Sequence, residues 1–254
     1  MNTIAMIQAR TGSTRLPKKV LLKLGGKTVL EQVIERVQRS RSIDEAMVVT
    51  TLSINDLAIV KLCAELGIRV FCGSEADVLD RFYQAAKILK PQNIVRVTAD
   101  CPLIDPDIID LVVLEHKKNK NDYTSNVLEE TFPDGQDNEV ITMAALEQAW
   151  NGSNLLSERE HVTLYIRNNP DIFKLGSVRS KVDYSRKRWT LDTRADYNFL
   201  VEIYNKLHSG NHVFGMRDIL DLLEKNPELE KININIDRNE GLKKSLLVDK
   251  IMDK

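Results

Sequence analysis

The sequence predicts an α/β fold, a mostly parallel twisted sheet flanked by helices, and three observations predict it. Apolar runs of strand length alternate with runs of helical spacing from Ile4 to Thr98. A cation-rich loop follows the first of those runs, at the carboxyl end of a strand, where open α/β sheets place their ligand crevices. The 254 residues are 43% apolar and 29% charged, the composition of a chain that buries its own core.

Taken in order, Ile4–Ala9 is an apolar run of strand length, and Val29–Val37 carries apolar residues at Val29, Leu30, Val33, Ile34 and Val37, a helical spacing. Thr28 and Glu31 form a capping box that starts this helix. The alternation continues with Ala46–Thr51 as strand, Ile54–Leu66 as helix, Ile68–Phe71 as strand, Val78–Leu89 as helix and Asn93–Thr98 as strand. Residues 122–182 loosen into short strands, polar turns and one helix over 157–168 that stops before Pro170, and read as an insertion or lid within a single domain spanning 1–254. Helices return at Arg194–Leu207 and Met216–Glu224; Lys231–Arg238 then alternates before a charged C-terminal helix.

With 36 basic and 37 acidic residues the net charge is −1, so no overall positive field draws a nucleic acid. Cys63, Cys72 and Cys101 are odd in number and lack CxxC spacing, against a disulfide framework or a structural zinc. The run Met1–Ile7 has no basic flank before it and reads as a buried strand, neither signal peptide nor membrane span. The expectation is a soluble protein of the reducing cytoplasm with no membrane partner.

The loop Gln8–Lys19 holds four cations, two threonines, a serine and a glycine in twelve residues. Gly12 lets the backbone turn its N–H groups inward, Ser13 and Thr14 offer hydroxyls, Arg10 and Arg15 can chelate phosphate oxygens, and Lys19 adds a point charge. The plainer reading is a solvated surface run, but the loop's place after the first strand favours an anion site. It is neither of the two common phosphate loops: Gly26-Lys27-Thr28 has Leu21 where a P-loop needs glycine, and no GxGxxG follows the first strand.

Asp100 lies just past the strand that ends at Thr98, and Asp192 ends a second strand-like run, Arg188–Leu191. Asp192 by itself also reads as a helix N-cap. In Asp105-Pro106-Asp107 a capping aspartate before a first-turn proline explains the DxD pattern without metal. Cys101, with no histidine in its motif, reads as packing before nucleophile. The nucleobase pocket is expected at the turns holding Thr51 and Ser74, both at carboxyl ends of strands.

Seven ordered stretches, Gln8–Pro17, Asp77–Phe82, Thr98–Leu103, Tyr123–Asn126, Asp134–Val140, Glu158–Thr163 and Leu191–Thr193, make the chain resemble the cytidylyltransferases that activate acidic sugars as CMP derivatives. The likeness is strongest to their relatives grouped as spore-coat polysaccharide biosynthesis protein F. Relatives that activate Kdo commonly have Pro where Gln8 stands and Gly where Lys18 stands.

The resemblance implies a nucleotide-diphospho-sugar transferase-like, Rossmann-like version of the fold. It also implies that Arg10, Ser13, Arg15 and Lys19 hold the triphosphate, that Asp100 and Asp192 hold Mg²⁺, and that the protein is a homodimer. The expected reaction is attack by a sugar hydroxyl on the α-phosphate of a nucleoside triphosphate, CTP favoured, with pyrophosphate leaving, for a cell-surface or spore-coat polysaccharide. Positioning and charge neutralisation by Mg²⁺, Arg10, Arg15, Lys19 and Asp100 would carry catalysis. Cytosine preference comes from the resemblance alone, since spacing does not separate CTP from GTP or UTP.

The sugar or sugar acid is expected to meet Tyr123, Asn126, Asp134, Asp137, Glu139, Glu160 and His161, with Ser125 and Thr163 beside them. Asp137 and Glu139 suit a neutral or amino sugar better than a carboxylate. His161 reads equally as base or as a helix-capping or core histidine. Two rival functions stand beside the first: a glycosyltransferase of the same architecture, which would release free nucleotide, and a non-catalytic nucleotide-sugar binding subunit.

Overall fold

The computed structural model describes residues 2–208, 214–236, 238 and 240–251. In chain order they form β1 (Thr3–Gln8), β2 (Lys23–Leu24), β3 (Lys27–Thr28), α1 (Val29–Gln38), β4 (Glu45–Thr51), α2 (Leu57–Glu65), β5 (Arg69–Gly73), α3 (Val78–Leu89), β6 (Asn93–Thr98) and α4 (Pro106–Asn119). They continue as β7 (Tyr123–Ser125), β8 (Glu139–Thr142), α5 (Met143–Gly152), α6 (Leu156–Glu160), α7 (Leu164–Asn168), β9 (Leu175–Ser177), α8 (Arg194–Leu207), α9 (Met216–Lys225) and α10 (Glu240–Leu247).

The sheet has seven strands in the order β5-β4-β1-β6-β8-β7-β9. β1 pairs in parallel with β4 on one side and β6 on the other; β8 is antiparallel to both β6 and β7. β1 is a continuous apolar run because both faces of the sheet are covered. Ala5 and Ile7 pack into the core under α1, α2 and α4, while Ile4 and Met6 face the opposite core under α3, α5 and α7. A third cluster, with Trp189, Phe199 and Leu200 fully buried, seats α8 and α9 against Leu24 and Leu103. The chain runs from β1 outward to β4 and β5, then returns to β6 on the other side. The switch point therefore lies between β1 and β6, and their carboxyl ends open a crevice.

The capping box at α1 is present, with Thr28 Oγ1 accepting from Glu31 N–H at 3.2 Å and the Glu31 carboxylate accepting from Thr28 N–H. Four expectations meet a different backbone. Ile54–Asp56 forms a 3-10 turn before α2 begins at Leu57. The helix expected over 157–168 is two short helices, α6 and α7, broken where Val162 takes φ 35°. A β-branched residue at positive φ is an outlier. Here Val162 is fully buried in the core under α3, and the Oγ1 of Thr163 donates to Glu139, so tertiary contacts override the helical period. Arg188–Leu191 is no strand; an isolated bridge joins Arg188 to Asp134. The alternation at 231–238 ends a 3-10 segment, Pro227–Ile232, and passes into turns, with Asp237 outside the described residues. Among the described residues no helix is long and apolar enough to cross a membrane.

Among the buried titratable groups on the helices covering the sheet is a histidine. His116 of α4 is 2% exposed, with Nδ1 3.1 Å from Thr124 Oγ1 and Nε2 3.1 Å from Asn93 Oδ1. Burial pushes its pKa from 6.5 down to about 4. The unfolded chain therefore takes up this proton first as the pH falls, so His116 adds full stability above pH 6.5 and loses it between 6.5 and 4. The expected melting temperature drops across that window at a rate equivalent to about 1 kcal/mol per pH unit. His116→Gln should flatten the slope, and an unchanged slope in that variant would refute the assignment.

Candidate functional site

The loop after β1 is built from its own residues outward. Thr11 donates to Asp56 through both N–H (2.8 Å) and Oγ1 (2.6 Å), and Asp56 also accepts from Thr51 Oγ1 at 2.5 Å. Burial would raise the Asp56 pKa, but these donors hold it below the ordinary carboxylate value, so a fixed anion pins the loop to β4. The loop closes where Lys18 N–H donates to the Thr11 carbonyl at 3.1 Å. Lys18 itself is left-handed, φ 56° and ψ 26°. That conformation costs an L-residue about 1 kcal/mol, which accounts for glycine serving in this position elsewhere.

Gln8, Arg10, Gly12, Ser13, Thr14, Arg15 and Lys19 line a cleft of 340 Å³ closed below by Thr98, Asp100 and Asp192. The 3-10 turn Lys19–Leu21 carries Lys19 inward, where its Nζ lies 2.6 Å from Asp100 Oδ2 and 2.8 Å from Asp192 Oδ1. Burial would lower the Lys19 pKa; the two carboxylates outweigh it and raise it. Burial likewise would raise Asp100, but Lys19 holds it at about 2. Two carboxylates from distant segments thus converge on one cation. That is the donor set Mg²⁺ uses when substrate phosphates complete its shell, and the residues fit the ion. Among the described residues no group of three or more His, Cys, Asp or Glu side chains forms a closed metal cage.

A second cavity of 280 Å³ adjoins the first and shares with it Arg15, Thr98, Asp100, Asp192, Glu240 and Gly241. Its remaining walls include Arg96, Asp134, Asp137, Glu139, His161, Thr163, Arg167, Arg188 and Thr190. Glu139 is buried yet ionised: burial pushes its pKa up, and Arg96 with the hydroxyls of Tyr123 and Thr163 pulls it below the ordinary value. Arg96 also donates to Gln8 Oε1 at 3.1 Å, which ties this wall to the end of β1. Arg188 spans Asp134 (2.9 Å), Asp192 (3.1 Å) and Asp196 (2.9 Å). Asp137 pairs with Arg238 at 2.8 Å, and burial still lifts its pKa to about 7. Gly135, φ 105°, lets the Asp134 turn press against the chain at Trp189; a Cβ there would come within 2.7 Å of the Trp189 carbonyl carbon.

The structure gathers Arg10, Gly12, Ser13, Arg15, Lys19, Asp100 and Asp192 at one cleft, and Asp134, Asp137, Glu139 and His161 at the adjoining cavity. Others sit elsewhere. Tyr123 and Asn126 are fully buried and line neither cavity; Tyr123 Oη holds Glu139 and Asn126 brackets the 136–138 turn. Thr51 is spent on Asp56, and Ser74 Oγ accepts from Asp77 N–H as a turn. Glu160 reaches Ser245 of α10 rather than the cavity. His161 lines the cavity, ends α6, and has Nε2 3.0 Å from Ser245 Oγ. Asp192 is not the cap of α8, since Thr193 and Asp196 fill that role; Asp105 does cap α4. Cys101 is buried, with its thiol pKa pushed well up by burial, and is packing. Sequence reading missed Arg96, Arg167, Arg188 and Glu240, whose roles exist only once distant segments meet.

This geometry has counterparts among known proteins. The cytidylyltransferase family model matches residues 4–237. An uncharacterized protein of Methanocaldococcus jannaschii is 43% identical over 93% of this chain and 96% of its own. The spore coat polysaccharide biosynthesis protein SpsF of Bacillus subtilis is 34% identical over 90% and 97%. A solved cytidylyltransferase of Leptospira borgpetersenii superposes with a TM-score of 0.87 at 34% identity, over 94% of this chain and 100% of that one. A cation-rich loop, two converging carboxylates and an adjoining cavity lie together in this chain, and the chain belongs to the cytidylyltransferase family of nucleotidyltransferases.

Proposed function

We propose that the protein transfers CMP from CTP to a hydroxyl of a sugar acid, releasing pyrophosphate, in the synthesis of a surface polysaccharide. The observation that carries this is the shared floor of the two cavities: Asp100, Asp192 and Arg15 lie where a nucleotide in one would meet an acceptor in the other. Arg10, Ser13, Arg15 and the loop N–H groups bind the triphosphate in this reading. Asp100 and Asp192 would hold Mg²⁺, which when bound neutralises phosphate charge. Lys19, between those carboxylates and the loop, would offer its positive charge to the phosphates. The acceptor hydroxyl attacks the α-phosphorus as the bond to the β-phosphate breaks; pyrophosphate leaves, the hydroxyl proton passes to solvent, and no covalent enzyme intermediate is needed. Residues 122–182 supply Asp134, Asp137, Glu139, His161, Thr163 and Arg167 to the acceptor wall, and the resemblance implies a homodimer.

The acidic wall had suggested a neutral or amino sugar. In the fold Asp137 is paired with Arg238 and Glu139 with Arg96, so neither offers a spare charge. Arg167 is the contrast: half-buried, on the cavity wall and within electrostatic reach of Glu139, it has among the described residues no ion pair at contact distance and no side-chain hydrogen bond. A substrate carboxylate would satisfy its fork. A relative matching 42% of this chain at 36% identity, a 3-deoxy-manno-octulosonate cytidylyltransferase of Anaeromyxobacter dehalogenans, agrees with that class.

Pyrophosphate release from CTP and Mg²⁺, measured across ulosonic acids and aldoses of matched length, tests both points. The expected result is turnover with an acid, and in Arg167→Gln a KM for that acid raised at least about tenfold, the loss of a charge-assisted pair. Equal KM values in the variant would remove Arg167 from the acceptor site, and release of free nucleotide in place of pyrophosphate would make the protein a glycosyltransferase.

A further inference from the structure

The C-terminal segment lies across the mouth of the site. Glu240 and Gly241 line both cavities, and Leu242 the second, so the first turn of α10 roofs the junction where nucleotide and acceptor meet. The far end of the segment is tied to α6. Asp249 accepts from Ser157 N–H (3.0 Å) and Oγ (2.5 Å), Lys250 carbonyl accepts from Leu156 N–H (2.9 Å), and Ile251 bridges Leu155. Ser245 stands between Glu160 and His161. The near end is held differently: Arg15 donates to Glu240 Oε2 at 2.8 Å, while the same guanidinium reaches Asp192 at 3.0 Å.

We propose that residues 240–251 are a strap over the active site, latched by Glu240 on Arg15, and that the nucleotide's triphosphate opens the latch by taking Arg15. The inference rests on the reading of Arg15 as a phosphate ligand. A carboxylate on that arginine occupies the place an anionic ligand needs, so each binding event must first break the pair. Because the other end is tied by hydrogen bonds to α6 that no phosphate competes for, the strap pivots rather than leaves. The acceptor cavity is then entered after the nucleotide is bound.

The test is calorimetric titration of Mg²⁺ and CTP into the wild-type protein and into Glu240→Gln, at low and at high salt. Glu240 is partly exposed, so the substitution spares the core. The expected result is a Kd about threefold lower in the variant at low salt, the size a partly exposed ion pair supports. The difference should shrink at high salt as the pair is screened. In parallel, limited proteolysis should cut the 240–251 segment of the wild type faster with Mg²⁺ and CTP than without. Equal or weaker CTP binding by Glu240→Gln at low salt, with CTP bound by both proteins, would overturn the latch and leave the nucleotide reading intact. Failure of CTP to bind either protein would overturn the nucleotide reading and the latch with it.

Discussion

Replacing Lys19 with Ala should lower kcat/KM for CTP by about 100- to 1000-fold, the loss typical of one preorganised charged donor at a developing charge. Lys19 is the cation on which Asp100 and Asp192 converge, and its side chain is only 11% exposed; Arg15 of the same loop reaches Asp192 alone of the two. The variant also leaves Asp100 without its main counter-charge, and the Asp100 pKa should climb from about 2. Added Mg²⁺ should therefore stabilise Lys19→Ala more than the wild type, because the ion no longer displaces an ammonium. Steady-state pyrophosphate release and thermal melts with and without Mg²⁺ measure both effects. Activity within about threefold of wild type would remove Lys19 from the chemistry.

Arg188→Met should be the most destabilising single change at the site. Its guanidinium joins three carboxylates, of which Asp196 is fully buried, and Asp196 in turn holds the N–H groups of Asp192 and Thr193. Removing one partner of a buried pair costs about 3–5 kcal/mol because the remaining charge stays desolvated. For a domain of this size that is a fall in melting temperature of roughly 6–15 °C. Arg188→Lys should recover only part, since a compact ammonium with three donors lacks the planar five-donor spread by which the guanidinium reaches all three carboxylates. A loss under about 1 kcal/mol in Arg188→Met would mean that the three carboxylates are held by other means. Asp192 would also lose its orientation, so the variant's remaining folded fraction should turn over more slowly than its stability alone accounts for.

The parts of the fold legible in the sequence were those set by local period. β1, β4, β6, α1 and α3 are long apolar runs with a clear period and caps, and Thr28 with Glu31 marks its helix start directly. The 157–168 helix failed because its period is helical while Val162 is pinned into the core and Thr163 to Glu139, contacts that no local pattern carries. The alternation at 231–238 misled for the same reason: period 2 without a neighbouring strand gives no ladder. Tyr123 and Asn126 belong to a stretch rich in side chains that can read sugar hydroxyls, which is what points to substrate in the sequence. Their burial shows that they hold Glu139 and the 136–138 turn.

The sequence by itself determined the α/β class, the cation-rich loop Gln8–Lys19 and the placement of Asp100 past a strand end, because each is written within a short stretch of consecutive residues. Only the tertiary structure decided that Lys19 joins Asp100 to Asp192, that Arg96 and Arg238 neutralise Glu139 and Asp137 while Arg167 stays unpaired among the described residues, and that Glu240 meets Arg15. Charges separated by up to 225 residues interact through space over a few ångströms, and which of them meet is set by how the sheet and its helices bury apolar surface.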